Sequence, residues 1–345
     1  MQMKKPHRLS KGDTVAIVSP SWGGPEAFPA IYENGLKVLK EWGLVIKEYP
    51  TAKANNEFLS KNPEARAKDI NDAFADTEIK AVFASIGGDD SVRILPFLNA
   101  DIITNNPKIL IGYSDTTTLL AFGALNGMVT FHGPSIMAGF SQMESLPQSF
   151  MAHVHSMLFT PNDHLDYVPY GQYCDGYLDW SQPENLGKTK ELKRDRGWRV
   201  IQGKGVVEGH LFGGSLEVLE FIKGTEFWPD KSFWKGKILF FETSEEKPTL
   251  DFVRRSLRNY GIQGVFDNAT AILFGRARDY SDEEKLQFDD TVREVISGEF
   301  RQPDLPIMTN MDFGHTDPQI VLPLGVAAKV DLSSKKLCLT EAWLK

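Results

Sequence analysis

Residues 108–120, Lys-Ile-Leu-Ile-Gly-Tyr-Ser-Asp-Thr-Thr-Thr-Leu-Leu, join a short apolar strand to a helix through a turn that carries Ser114. Such a turn exposes its side chain at the carboxyl edge of a sheet and directs the next backbone N–H groups at whatever that side chain attacks. The stretch therefore predicts a serine nucleophile. It departs from the usual Gly-x-Ser-x-Gly pattern, because Thr116 stands where the second glycine would be. The alternative interpretation is that Ser114 only caps the helix, a role that serine often fills.

A serine nucleophile needs a base within hydrogen-bond reach. Of the seven histidines, those in the N-terminal tail, on a predicted surface helix (His153 and His155) or in an irregular segment are poor candidates. This leaves His132, His210 and His315. His315 stands in a polar loop that contains glycine and lies between two predicted strands, a setting that suits an aimed side chain.

The base in turn needs a carboxylate to orient it. Glu242 closes the apolar run Ile-Leu-Phe-Phe, and an ionised group is not expected there without a partner or a task. Glu245 and Glu246 follow in the next loop and compete for the same role. Glu242 could instead serve as a charge at the N-terminus of the segment that follows it.

An oxyanion hole requires two backbone N–H donors near the nucleophile. Asp115, directly after Ser114, supplies the first of them. The Gly87-Gly88 turn follows a neighbouring predicted strand and can supply the second, because glycine permits close approach of the backbone.

These residues must be positioned by strands and helices that alternate along the first part of the chain. Apolar runs predict strands at 14–19, 44–46, 79–86, 108–111 and 128–131, and helical periodicity predicts helices at 31–42, 64–74 and 116–125. This alternation predicts a parallel sheet with helices on both faces. Loops 19–25, 87–90 and 113–115 should then converge at the carboxyl edge, where ligands bind.

After residue 160 periodicity is lost, and it resumes near residue 206 with short strands and three helices. We therefore predict an N-terminal α/β domain at 1–165, a linker or covering loop at 166–200, and a smaller β/α domain with more antiparallel content at 201–345. A length of 345 residues fits about two domains. Trp180 and Trp198 lie in the linker, and the simplest interpretation is that both pack over the domain junction.

Composition limits the classes of partner. A net charge of −8 gives no reason to expect a nucleic acid polymer as a partner. No window holds the roughly 18 apolar residues of a membrane span, and the N-terminus lacks the apolar core of a signal peptide, so we expect a cytoplasmic protein with no membrane partner. Cys174 and Cys338 are too few for a disulfide framework and lack metal-binding spacing, so we expect reduced thiols.

Taken in order, the motifs resemble the LD-carboxypeptidase family of serine peptidases. The resemblance covers nearly the whole chain and is carried by the following segments: Gly87-Gly88-Asp89-Asp90 with Arg93-Ile94-Leu95-Pro96, Asn106-Pro107-Lys108, Gly112-Tyr113-Ser114-Asp115, Gly213-Gly214-Ser215-Leu216, Phe241-Glu242 and Phe313-Gly314-His315-Thr316-Asp317. It departs from the family at Ser215, where asparagine is frequent, which bears on local helix capping.

The resemblance implies a triad in which Ser114 is the nucleophile, His315 the general base and acid, and Glu242 the group that orients the imidazole. It also implies an oxyanion hole from the N–H groups of Gly88 and Asp115. For the fold, it implies a Rossmann-like N-terminal domain related to class I amidotransferases, a C-terminal swivelling β/α domain and a homodimer. No metal and no other cofactor is expected.

Two substrate classes remain within the family. Microcin-type members cleave the amide between an acidic aminoacyl group and a modified nucleotide, and their middle segment carries a tryptophan that stacks on the base. Trp180 stands in such a segment, so we favour this class, because base stacking contributes about 1–3 kcal/mol. The alternative is release of the terminal D-Ala from a muropeptide tetrapeptide.

Two further classes are less favoured. A two-lobe binding protein without activity would show similar periodicity, but secreted binding proteins carry a signal peptide. A glutamine amidotransferase needs cysteine at position 114, where this chain has serine.

Overall fold

A computed structural model describes residues 2–345 as two large sheets and one small three-stranded sheet, with helices packed on the large sheets. The strands are β1 (Thr14–Val18), β2 (Val45–Glu48), β3 (Ile79–Ala84), β4 (Ile109–Gly112), β5 (Thr130–His132), β6 (Leu165–Asp166), β7 (Gln172–Asp175), β8 (Lys193–Arg194), β9 (Arg199–Gln202), β10 (Val206–Ser215), β11 (Lys237–Glu242), β12 (Ala271–Gly275), β13 (Ile307–Met311), β14 (Thr316–Asp317), β15 (Leu322–Leu324), β16 (Ala327–Asp331) and β17 (Lys336–Leu339).

The helices alternate with these strands. The α-helices are α1 (Gly24–Ala27), α2 (Pro29–Glu41), α3 (Asn56–Lys61), α4 (Pro63–Ala75), α5 (Ala100–Asn105), α6 (Thr117–Leu125), α7 (Gln148–Phe159), α8 (Leu216–Ile222), α9 (Leu250–Ile262) and α10 (Asp282–Arg293). Short 3-10 helices lie at Ser91–Phe97, Ser114–Thr116, Phe140–Ser145, Pro183–Asn185 and Lys231–Trp234, and Glu294–Glu299 forms a π-helical turn after α10. Within residues 2–345, no helix is both long and apolar enough to cross a membrane.

The N-terminal sheet has the strand order β15-β5-β4-β3-β1-β2. Strands β1 to β5 are parallel, and β3 and β4 are buried along nearly their whole length, as expected for apolar strands covered by helices on both faces. The prediction of an α/β fold with a parallel N-terminal sheet and a second C-terminal domain is confirmed. The sheet places the residues that follow β1, β3 and β4 at one edge.

The C-terminal sheet has the order β6-β17-β16-β10-β11-β12-β13-β9. Its central strands β10 to β13 are parallel and its outer strands are antiparallel, in agreement with the greater antiparallel content predicted for this half. The register pairs Ser215 with Glu242, so Glu242 lies at the carboxyl end of its strand.

Helix α6 joins the two sheets. It follows the 3-10 turn at Ser114 and is buried on all sides, because the N-terminal sheet covers one face and strand β10 and helix α8 cover another. The hydroxyl of Thr117, at its first turn, accepts a hydrogen bond of 3.1 Å from the backbone N–H of Ser215. The turn that carries Ser114 is thereby fixed against the C-terminal half of the molecule.

Two segments differ from the sequence-based expectation. The predicted irregular linker contains the short strands β7 and β8, and β7 pairs with β14, with Thr316 opposite Asp175. Strand β15, from the C-terminal part of the chain, pairs antiparallel with β5 and completes the N-terminal sheet. Pairings of two or three residues leave no periodic signal in the sequence. The division at 1–165, 166–200 and 201–345 stays a proposal.

The prediction that His153 lies on a surface helix is only partly right. Helix α7 is present, but His153 is half-buried and its Nε2 accepts a hydrogen bond of 2.9 Å from the N–H of Val321. Burial lowers the pKa of His153 to about 4, so the ring is a neutral acceptor. This histidine therefore helps to hold the β14–β15 connection.

Candidate active site

Ser114 occupies a strained turn directly after strand β4. Its φ angle is +59°, in the left-handed region that a residue with a side chain rarely adopts. Neither the 3-10 turn that begins at Ser114 nor helix α6 has a side-chain capping hydrogen bond, so the structure does not support the capping interpretation. A strained serine between a strand and a helix is the backbone feature of a nucleophile elbow.

The Gly87-Gly88 loop lies against Ser114. A Cβ atom added to Gly87 would be 2.8 Å from Ser114 Cβ and 2.9 Å from Ser114 Oγ, so only glycine leaves the serine its space. Gly88 has a φ angle of +148° and packs against Ser21, whose Oγ accepts hydrogen bonds from the N–H groups of Asp89 and Asp90 at 3.1 and 3.2 Å. These hydrogen bonds to Ser21 fix the conformation of loop 87–90.

The two predicted oxyanion donors are not used elsewhere. Within residues 2–345, the backbone N–H groups of Gly88 and Asp115 donate to no backbone carbonyl. The carboxylate of Asp115 is buried and accepts a 2.8 Å hydrogen bond from the N–H of Ser91, which fixes the Asp115 backbone beside Ser114. Two free donors next to a strained serine have the composition of an oxyanion hole.

Glu242 and His315 form a buried pair behind the serine. Glu242 Oε2 is 2.5 Å from His315 Nδ1, and both residues are at most 4% exposed. Burial raises the pKa of Glu242, but the positive charge of His315 and the hydrogen bond outweigh this effect and lower it to about 2. Gly314, with a φ angle of +95°, is required because a Cβ there would collide with the Glu242 side chain. Glu242 is therefore an ionised partner that can orient the imidazole.

Glu245 lies on the other side of the same ring. Its Oε2 is 3.0 Å from His315 Nε2, but Nε2 makes no hydrogen bond, so the contact is an ion pair outside hydrogen-bond geometry. Burial would lower the pKa of His315, but the charges of Glu242 and Glu245 raise it to about 10. The predicted hydrogen bond between Ser114 and His315 is not formed in this structure, since Nε2 has no hydrogen-bond partner.

The remaining candidates lie elsewhere. His132 is fully buried, with Nε2 3.8 Å from Glu242 Oε1, so it flanks the carboxylate and not the serine. His210 lines a different cavity together with Lys4 and Lys237. Glu246 faces the same cavity as Ser114 but makes no ion pair with His315.

One cavity of about 520 Å³ is lined by four of the predicted site residues, whereas Glu242 and Asp115 lie behind its wall. Ser114, His315, Gly88 and Trp180 line it, and it also includes the aromatic residues Trp22, Phe28, Tyr113 and Tyr177 and the charged residues Asp89, Glu245, Glu246 and Arg278. The predicted convergence of the loops after β1, β3 and β4 is confirmed, since each contributes lining residues. Within residues 2–345 no group of three or more His, Cys, Asp or Glu side chains is placed to hold a metal ion.

Trp180 belongs to the cavity wall and also packs against neighbouring aromatic residues. Its ring meets Phe28 edge-on, with centroids 5.7 Å apart, and lies 5.5 Å from the ring of Tyr177. Tyr177 in turn shares a 2.7 Å hydrogen bond with the hydroxyl of Tyr113. The half-buried indole is thus held at the cavity while part of its surface stays accessible.

Arg278 and Tyr177 are among the lining residues that were not predicted from the sequence. Arg278 follows strand β12 and reaches the cavity for the same reason as Glu245 and Glu246, which follow the neighbouring parallel strand β11. The carboxyl-edge rule, applied to the second sheet, could have found it. Tyr177 carried no such signal, because its position depends on the pairing of β7 with β14.

Comparisons with known proteins agree with this arrangement. Residues 15–133 match the LD-carboxypeptidase N-terminal domain, and residues 208–330 match the LD-carboxypeptidase C-terminal domain. The chain is 29% identical to the microcin C7 self-immunity protein MccF of Escherichia coli, over 97% of this chain and 95% of that protein. It is 30% identical to the putative carboxypeptidase YocD of Bacillus subtilis (strain 168), over 95% of this chain and 96% of that protein.

The solved structures give the same result. The structure of microcin C7 self-immunity protein MccF in complex with aspartyl sulfamoyl adenosine superimposes with a TM-score of 0.89 and 29% identity, over 99% of this chain and 100% of that chain. The match includes both sheets and therefore extends beyond the N-terminal fold. The chain is a hydrolase of the serine-type carboxypeptidase class, and it belongs to the LD-carboxypeptidase family.

Proposed function

We propose that this protein hydrolyses the amide that joins an acidic aminoacyl group to a nucleotide, through an acyl-enzyme formed on Ser114. The observation that carries the proposal is the φ angle of +59° at Ser114, which lines a cavity together with His315. A strained backbone persists only where the surrounding structure enforces it, and such positions cluster at active sites.

In the proposed reaction, His315 Nε2 removes the proton from Ser114 Oγ as the oxygen attacks the carbonyl carbon. The same proton is then given to the leaving nitrogen, which breaks the amide bond. Water repeats the sequence on the ester and regenerates the serine. Glu242, ionised and 2.5 Å from Nδ1, fixes the tautomer in which Nε2 is the basic atom and stabilises the imidazolium that forms.

The N–H groups of Gly88 and Asp115 are proposed to bind the oxyanion of the tetrahedral intermediate. Their support is geometric, because Asp115 directly follows Ser114, Gly88 follows Gly87, which lies against Ser114, and neither N–H donates to a backbone carbonyl within residues 2–345. Donors fixed before the reaction require no reorganisation, and the loss of one such donor typically lowers kcat by about 10²–10³-fold.

The aromatic wall supports a nucleotide as the leaving group. Trp180, Phe28 and Trp22 line one side of the cavity and offer a face on which a base can stack. The related MccF structure binds aspartyl sulfamoyl adenosine, which combines an acidic aminoacyl group with a nucleoside. Arg278, which also lines the cavity, is the proposed partner of the acidic side chain.

The second candidate is release of the terminal D-Ala from a muropeptide tetrapeptide. It would use the same catalytic groups. Asp89 and Glu245 line the cavity as two carboxylates, and they would suit the ammonium group of a diamino acid. Family membership removes the two-lobe binding protein without activity from consideration, because the chain is a hydrolase.

A mass-spectrometric assay of two substrates tests the proposal. Wild-type protein and Ser114→Ala are incubated with aspartyl sulfamoyl adenosine and with a disaccharide tetrapeptide. We expect hydrolysis of the nucleoside amide by the wild type and a loss of about 10⁶-fold in the variant, with an unchanged melting temperature. Near-normal turnover by Ser114→Ala would refute the nucleophile, and exclusive cleavage of the tetrapeptide would select the second candidate.

The homodimer implied by the family resemblance is part of the proposal. Light scattering on the purified protein tests it directly, and a monomeric mass at micromolar concentration would contradict it.

A further inference from the structure

Glu245 occupies the place that the nucleophile needs at His315. A general base must accept the serine proton on Nε2, yet Glu245 Oε2 stands 3.0 Å from that atom. Nε2 is buried and has no hydrogen-bond partner, and Glu242 holds Nδ1 on the opposite side of the ring. Two carboxylates therefore flank the ring, and their negative charges favour the imidazolium form, which is the wrong protonation state for a base.

The two carboxylates differ in how firmly they are held. The Glu242 side chain is 0% exposed, whereas that of Glu245 is 53% exposed and extends from a turn into the cavity. The backbone of this turn is anchored, because the N–H of Ser244 donates to Glu217 Oε1 at 2.8 Å. The Glu245 side chain can therefore change partner by rotation about its own bonds while the turn stays in place.

We propose that Glu245 binds the ammonium group of the substrate's aminoacyl residue, and that this exchange of partner releases His315 to act as the base. The inference rests on the proposed function, since it assigns the acyl side of the substrate to the Glu245 end of the cavity. The proposal adds a requirement for the substrate: its acyl group must carry a free cationic amine. Catalysis by Ser114 and His315 alone would not require this amine.

The proton balance of this step is simple. When the ammonium takes over Glu245, the imidazolium loses one of its two carboxylate neighbours and gives its Nε2 proton to water. Nε2 is then neutral and accepts the proton of Ser114 Oγ. The enzyme is thus activated by substrates that carry the amine, while a water molecule in the empty cavity meets no base.

Several charged and titratable groups surround these two side chains and influence the same equilibrium. Glu242, Asp317 and Tyr113 face His315, His132 lies beyond Glu242, and Arg278 faces Glu245. Of these groups, only Glu245 contacts Nε2. Removing its charge should therefore change the titration of His315 and leave the Glu242–His315 hydrogen bond in place.

Two substrates and two variants test the proposal. The substrates are aspartyl sulfamoyl adenosine with a free α-amine and the same compound acetylated on that amine. The variants are Glu245→Gln and the matched Glu246→Gln, which removes the same charge from the next residue. The quantity measured is kcat/KM from pH 5 to pH 10.

We expect the wild type to favour the free amine by about tenfold or more, because an ammonium–carboxylate contact is charge-assisted. In Glu245→Gln this preference should disappear. The rise of kcat/KM with pH reports the pKa of His315 in the free enzyme. Glu245→Gln removes a negative charge that raises this pKa. With the acetylated compound, the rise should therefore occur at lower pH in Glu245→Gln than in the wild type. Glu246→Gln should keep the wild-type preference.

Two results would overturn the proposal. One is that Glu245→Gln retains the preference for the free amine, and the other is that its pH midpoint equals that of the wild type. NMR titration of His315 in a Ser114→Ala background gives a readout that does not need turnover. There, the free amine should lower the pKa of His315 on binding and the acetylated compound should not. Failure of the wild type to hydrolyse either compound would instead refute the proposed function.

Discussion

The substitution Gly87→Ala tests the geometry around Ser114 independently of the substrate's identity. The added methyl would lie 2.8 Å from Ser114 Cβ, whereas ordinary contacts begin at 3.4 Å. Ser114 would therefore have to move by about 0.6 Å. The strained turn leaves it little freedom, because it is followed at once by helix α6, which is buried on all sides.

A displacement of this size should be visible in the rate. Misplacement of reacting groups by about 1 Å can lower a rate by about 10²-fold, so we expect kcat/KM to fall by about 10- to 100-fold. That range corresponds to about 1.4–2.7 kcal/mol of transition-state stabilisation. Overpacking should also lower the free energy of unfolding by about 1–3 kcal/mol.

The assay measures kcat/KM for aspartyl sulfamoyl adenosine together with thermal unfolding of each protein. Gly298→Ala is the matched control, because a Cβ at Gly298 meets nothing within 4 Å. We expect this control to keep full turnover. If Gly87→Ala stays within twofold of the wild type in kcat/KM, then Gly87 does not constrain the nucleophile and the geometric argument is wrong.

Three further substitutions probe other parts of the molecule. Trp180→Ala should lower kcat/KM for the nucleoside amide by roughly 5- to 150-fold, because it removes a base stack worth about 1–3 kcal/mol, and should leave turnover of a muropeptide unchanged. Equal losses of kcat/KM on the two substrates together with a lower melting temperature would indicate that Trp180 serves packing alone. Glu242→Gln should lower kcat by about 10⁴-fold in a stopped assay with little change in KM, because an amide does not stabilise the imidazolium; a loss below tenfold would contradict its role. Arg276→Met should destabilise the fold by about 3–5 kcal/mol in urea, because it leaves Asp195 and Asp312, which pair with Arg276 at 2.9 and 2.6 Å, buried without a counter-charge. Arg258→Met, which removes an exposed ion pair with Glu299, is its control and should change stability by about 0–1 kcal/mol.

The sequence alone determined the N-terminal sheet and the edge at which chemistry occurs. Apolar runs and helical periodicity are set by residues a few positions apart, so local patterns were sufficient to predict the strands that carry Gly88 and Ser114. The order of parallel strands then required their following loops to meet at one edge. The triad members came from the family resemblance. The local pattern left His132 and His210 open as alternatives to His315, and Glu245 and Glu246 as alternatives to Glu242.

Only the tertiary structure decided which side chains meet. Glu242 and His315 are 73 residues apart, at the end of strand β11 and in the loop between β13 and β14, so their contact depends on how these strands are placed relative to one another. The position of Ser114 relative to His315 depends on how helix α6 packs between the N-terminal and C-terminal sheets. The contact of Glu245 with His315 Nε2 also depends on tertiary packing, because Glu245 lies in the loop after β11 and His315 lies in the loop after β13. Such long-range contacts are set by the packing of whole elements, and no periodicity within a short stretch of sequence records them.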